Sequence, residues 1–96
     1  MRTNAKIDRN QPEIVLALRA LGCTVTSLAA VGGGVPDLLV GYRGVNILIE
    51  VKDGDAIPSK RKLTTDQVDY HAMWKGTIHV VKLVDEAINL INQYND

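Results

Sequence analysis

Residues 32–54 read GGGVPDLLVGYRGVNILIEVKDG, and this stretch decides the fold. The runs DLLVGY and VNILIEVK are apolar and rich in strand-forming residues, and they meet across Arg43-Gly44, which predicts a β-hairpin. With Arg43 and Gly44 as the two turn residues, Tyr42 pairs with Val45, and the same register carries Asp37 directly across from Glu50. Directly opposed side chains have Cβ atoms ~4.5–5.5 Å apart, and like charges there repel. Along the second strand Ile47, Ile49 and Val51 share one face while Leu48, Glu50 and Lys52 share the other. Two carboxylates and one ammonium therefore converge on one side of the hairpin. Charged side chains are seldom fully buried unless they are paired or hold a metal. Two readings fit this pattern. Asp37 opens the strand as a turn residue while Glu50 and Lys52 form a surface ion pair, or a divalent cation between the carboxylates turns their repulsion into binding. A small set of hard oxygen ligands suits Mg²⁺ or Mn²⁺. The glycines at 32–34 let another backbone approach closely just before Asp37.

Outward from the hairpin, NQPEIVLALRALG places Ile14, Ala17, Leu18 and Leu21 at helical spacing, with Gly22 as the stop. CTVTSLAAV alternates and predicts a strand. DGDAIPSKRKLT is polar and turn-rich, so a loop is expected there. Thr64 or Thr65 caps a helix running to about Lys75 and ended by Gly76. TIHVVKL predicts a strand, and VDEAINLINQY a final helix with Val84, Ala87, Ile88, Ile91 and Tyr94 on one face. The first ten residues are polar and carry Arg2, Lys6 and Arg9, which predicts a flexible basic arm. The whole is one α/β domain over 1–96, in the order α-β-β-β-α-β-α, with a mixed sheet flanked by helices.

Composition narrows the class. Eleven basic residues balance eleven acidic ones and 46% of residues are apolar, which excludes disorder and gives no global sign of nucleic acid. Any such partner must be argued from local clustering. The single cysteine, Cys23, excludes an internal disulfide and a Cys-rich zinc site, and points to a reducing compartment. No apolar run reaches the ~18 residues of a membrane span. MRTNAKIDRNQ lacks the apolar stretch of a signal peptide. A soluble, cytoplasmic protein with no membrane partner is expected.

Pro36-Asp37 followed across the hairpin by Glu50-Val51-Lys52 resembles the signature of the PD-(D/E)xK nuclease superfamily, whose core order αβββαβ is also the order read above. GGGVPDLLVG, ILIEVKDG and KLTTDQ look like its VRR-Nuc branch, particularly compact stand-alone forms from phages and prophages. The resemblance runs from about Asn10 to Asn92. The branch's eponymous motif is not spelled out, since HVVKLVDEA offers Val80, Val81 and Lys82 in its place. The resemblance implies a Mg²⁺- or Mn²⁺-dependent phosphodiesterase in the bacterial cytoplasm. Asp37, Glu50 and the carbonyl of Val51 would ligate the metal, and Lys52 would orient the attacking water. Compact members are expected to act as homodimers on branched DNA, notably four-way junctions. A nuclease for flaps, nicked duplex or single strands, and a non-catalytic DNA-binding module, are the alternatives.

The remaining candidates each carry a plainer structural reading. Glu13 matches a first-helix glutamate that many such nucleases use as a further metal ligand, yet Asn10 to Glu13 also reads as an N-cap with its capping-box acid. Gln67 lies three residues after Thr64, so it either closes a capping box or, as the resemblance implies, faces the active site. Lys60, Arg61 and Lys62 are three consecutive basic residues in the loop, expected to contact the DNA backbone with help from Ser59 and, from the arm, Lys6 and Arg9. His71 and His79 read as structural. Tyr70 and Trp74 are expected to pack the helix against the sheet or against a second subunit.

Overall fold

The computed structural model describes residues 7–95; the expected DNA contact at Lys6 lies outside them. The elements are α1 (Gln11–Ala20), β1 (Thr24–Ser27), β2 (Leu38–Tyr42), β3 (Val45–Val51), α2 (Pro58–Arg61), α3 (Thr65–Met73), β4 (Ile78–Val81) and α4 (Val84–Asn92). The four strands form one sheet in sequence order. β1, β2 and β3 are antiparallel neighbours, and β4 joins β3 in parallel, so the sheet is mixed as expected. Among the described residues no helix is long and apolar enough to cross a membrane.

The hairpin forms in the anticipated register, with Tyr42 opposite Val45 and Leu38 opposite Ile49. Arg43 and Gly44 both take positive φ, 50° and 81°, the requirement of a two-residue turn matched to strand twist. Arg43 accepts that strain, and its guanidinium is tied to the Asn95 carbonyl at 3.2 Å. Alternation along β2 and β3 sends Leu38, Val40, Ile47, Ile49 and Val51 to one face, where they meet Ile14 and Leu18 of α1 and Ala87 and Ile91 of α4. Burial of each large aliphatic chain here contributes about 1.5–3 kcal/mol. That single core holds the sheet rigid behind the site.

The opposite face is covered only in part. α3 lies over the Glu50 end of β3, leaving an apolar groove of about 440 Å³ lined by Leu28, Val35, Pro36, Leu39, Leu48 and Trp74. Tyr70 and Trp74 stack on each other at its edge, ring centroids 5.7 Å apart.

α3 can approach because of Gly34. It sits at φ +85°, and a Cβ there would lie 2.2 Å from the Asp66 carbonyl oxygen in the first turn of α3. The glycine run thus lets a second backbone close in just before Asp37. Gly34→Ala combines a left-handed backbone with a main-chain clash and is expected to cost about 3 kcal/mol. A denaturant melt checks it, and Gly33→Ala, which meets no atom within 4 Å, is the control for backbone strain alone.

Three local expectations are corrected. The loop after β3 contains one helical turn, α2, started by Pro58 at its first position. The helix α3 stops at Met73 because Trp74 turns to extended backbone, two residues short of Lys75. The arm is not free up to residue 10: Arg9 pairs with Asp53 at 2.8 Å, and Asn10 Nδ2 donates to the carbonyls of Lys52 and Lys82 at 3.0 and 2.9 Å. Asn10 is therefore a clamp joining the ends of β3 and β4, and it makes no side-chain cap on α1.

Candidate active site

Glu50 is the centre of the arrangement. The pleat that buries Ile49 and Val51 in the main core turns Glu50 to the other face, under α3, where it is fully buried. Its Oε2 accepts from Gln67 Nε2 at 3.1 Å, and its Oε1 lies 3.2 Å from His71 Nε2. The Asp37 carboxyl is close enough to act on it as well. Burial, reinforced by the hydrogen bond and charge of Asp37, pushes the Glu50 carboxyl up to about 9, against the opposing pull of Lys52. A shift in that direction favours the protonated acid when no cation is bound. Burial, with the Lys52 ammonium adding, pushes the His71 imidazole below its usual range.

Asp37 precedes β2, and its Oδ2 accepts from the Val51 amide at 2.7 Å. That bond crosses the hairpin and fixes the carboxylate against β3. Lys52 follows β3 with its backbone held on both sides: its N–H donates to Val81 at 2.9 Å and its carbonyl accepts from Asn10. Its side chain is only 7% exposed. Asp37, Val51 and Lys52 line a polar cavity of about 190 Å³ with Asp8, Ser59, Lys60, Lys62, Thr64 and Gln67. Glu50 stands behind it, touching two of its lining residues, Asp37 and Gln67.

Gln67 serves both of its possible roles at once. Its N–H donates to Thr64 Oγ1 at 3.2 Å and its Oε1 accepts from the Thr64 N–H at 2.9 Å, a complete capping box, while its Nε2 reaches Glu50. Of the basic residues, Lys60 and Lys62 face the cavity with Ser59, and Arg61 is exposed outside it. Arg9 is engaged with Asp53. Glu13 is exposed in the first turn of α1 and does not line the cavity. His79 meets the Tyr94 hydroxyl at 3.1 Å, a structural contact, as expected.

Two residues of the site escaped the sequence. His71 lies four residues after Gln67, so one face of α3 carries both onto Glu50; the spacing was the available signal. Asp8, in the polar segment before α1, gave none.

A solved structure of a VRR-Nuc domain is 32% identical to this chain, superposes with a TM-score of 0.66, and covers 90% of this chain and 94% of its own. The chain belongs to the VRR-Nuc family. Its four-stranded mixed sheet with flanking helices is thereby a nuclease fold of the PD-(D/E)xK type. By sequence alone, no family model matches the chain, and no curated protein does.

A VRR-Nuc domain implies a divalent metal, and the donor set fits one. Two neighbouring carboxyls, one of them raised by burial and by the other's charge, are the kind of donor pair that a divalent cation would relieve. Asp37, Glu50 and the Val51 carbonyl are the oxygen groups at hand. Among the described residues no three acidic, histidine or cysteine side chains gather closely enough to hold an ion by themselves. Backbone and water oxygens must complete the shell, which is the habit of Mg²⁺.

Proposed function

We propose that this protein is a Mg²⁺- or Mn²⁺-dependent DNA endonuclease that cuts four-way junctions as a homodimer. The observation that carries the catalytic part is the half-buried Asp37 carboxyl beside buried Glu50, with Asp37 and Lys52 lining one cavity. When bound, the ion would supply Lewis acidity to the phosphate and make a coordinated water easier to deprotonate. Asp37, Glu50 and the Val51 carbonyl would hold it. Lys52, its backbone clamped between β4 and Asn10, presents Nζ to orient the attacking water and offset charge gathering on the phosphate. Gln67 holds Glu50 in place from α3. Ser59, Lys60 and Lys62 present donors to a DNA backbone entering the cavity.

Replacing Lys60, Arg61 and Lys62 together by alanine is expected to weaken DNA binding and to flatten its dependence on log salt by about 2–3, close to one per lost phosphate contact. A salt titration by fluorescence anisotropy checks it, and an unchanged slope moves the DNA surface elsewhere.

The junction and dimer parts rest on symmetry. A two-fold pair of sites matches a two-fold substrate, which makes dimer geometry a means of recognising a junction. The exposed apolar groove beside Trp74 is consistent with a second copy. The deciding experiment incubates end-labelled four-way junction, flap and linear duplex DNA with protein and Mg²⁺, Mn²⁺ or EDTA. Metal-dependent paired nicks confined to the junction support the proposal. Cleavage of the other forms keeps the nuclease and removes the junction preference. Binding without cleavage under any metal favours a non-catalytic module.

A further inference from the structure

We infer that Asp8, and not Glu13, is the third carboxylate of the metal site, reaching the ion through its hydration water. The inference rests on the metal-site reading above and extends it to a residue outside the family signature. Three observations support it. Asp8 is half-buried and lines the same cavity as Asp37, Val51 and Lys52, while Glu13 points into solvent from α1. Asp8 and Glu50 lie close enough to feel each other's charge, and Lys52 and Asp37 are also near neighbours of Asp8. The segment holding it is fastened on the far side of the residue, by the Arg9–Asp53 ion pair at 2.8 Å and the two Asn10 hydrogen bonds to the ends of β3 and β4. Asp8 is thereby a fixed wall of the cavity.

The chemistry follows from the donor count. Asp37 and Glu50 give an ion too few oxygens, and Asp8 is not near enough to make a three-residue direct cage. A carboxylate one water away supplies an acceptor for the ion's hydration shell and a further negative charge, without displacing the water the reaction needs.

The test measures ion binding without DNA. Mg²⁺ and Mn²⁺ are titrated calorimetrically into the wild type, Asp8→Asn, Glu13→Gln and Asp37→Asn, with circular dichroism melts to confirm that each variant folds. Asp8→Asn is expected to weaken the ion by about 10–100-fold, the range for groups that act on a metal through its ligands. Glu13→Gln should bind as wild type, and Asp37→Asn should bind weakest. If Asp37→Asn weakens the ion and Asp8→Asn does not, the assignment of Asp8 is wrong and the metal site stands. A loss at Glu13→Gln with Asp8→Asn unaffected overturns it in favour of the helix glutamate. Unchanged binding in Asp37→Asn removes the metal-site reading itself, and Asp8 with it.

Discussion

Lys52→Ala is expected to lower phosphodiester cleavage by about 10²–10⁴-fold, the range for a group that positions water and stabilises developing charge. DNA and metal binding should stay close to wild type. The split follows from where the lysine sits. The residue is 7% exposed and lines the cavity, and among the described residues it makes no ion pair, so its removal deletes a charge at the cavity wall and not a structural link. The backbone bonds to Val81 and from Asn10 remain whatever the side chain is. Alanine also removes a packed four-carbon stem, so Lys52→Met, which keeps the apolar stem and loses the charge, separates packing from chemistry. Both variants should nick junction DNA equally poorly in Mg²⁺ while gel shifts in Ca²⁺ match wild type. Turnover within about tenfold of wild type in Lys52→Met would take the lysine out of the mechanism.

The hairpin was legible because one local rule fixed it. Arg43-Gly44 sets the turn, the turn sets the register, and the register places Glu50 beside Asp37. The core followed from period-two alternation in β2 and β3 and the helical period of α1 and α4. What the sequence did not show came from segments whose placement depends on partners distant in the chain. Asp8, Arg9 and Asn10 are polar and read as arm; only contacts with Asp53, Lys52 and Lys82, more than forty residues on, give them a position. Gln67 was ambiguous because a capping box uses its Oε1 and leaves Nε2 free to reach Glu50, so the cap and the contact with Glu50 coexist. Of the two readings of Glu13, the capping box loses its partner, because Asn10 spends its amide on the sheet ends instead.

The metal-free protein should lose stability as pH rises from about 6.5 to about 9, and Mg²⁺ should restore it most at the upper end. The folded Glu50 carboxyl sits at about 9, whereas in the unfolded chain it returns to the ordinary 4.5. Between those values the folded state keeps a proton that the unfolded state has released. Stability is full below the lower value and falls with rising pH, by at most about 1.4 kcal/mol per unit. His71 works in the opposite sense. Its folded pKa is below 6.5, so its contribution grows as pH rises and is complete above about 6.5. Above 6.5 the His71 contribution is therefore constant, and toward pH 9 the buried Cys23 thiol, also raised, adds to the fall in the same sense. In EDTA, the wild-type Tm should fall across this window, and Glu50→Gln, which resembles the protonated acid and can still donate toward Asp37, should flatten the slope. An ion entering the site must displace the Glu50 proton, so apparent Mg²⁺ affinity should rise by up to about tenfold per pH unit toward 9. Calorimetry in buffers of different ionisation heat should read close to one proton released per ion at pH 7 in the wild type. In Glu50→Gln the ion should fail to bind. A wild-type Tm that is flat or rising above 6.5 without metal would mean that Glu50 is ionised in the fold, with its charge matched by Lys52 and not by a proton. The ion would then bind with no proton release, and the carboxyl pair would lose its claim to be a cation site held by a proton.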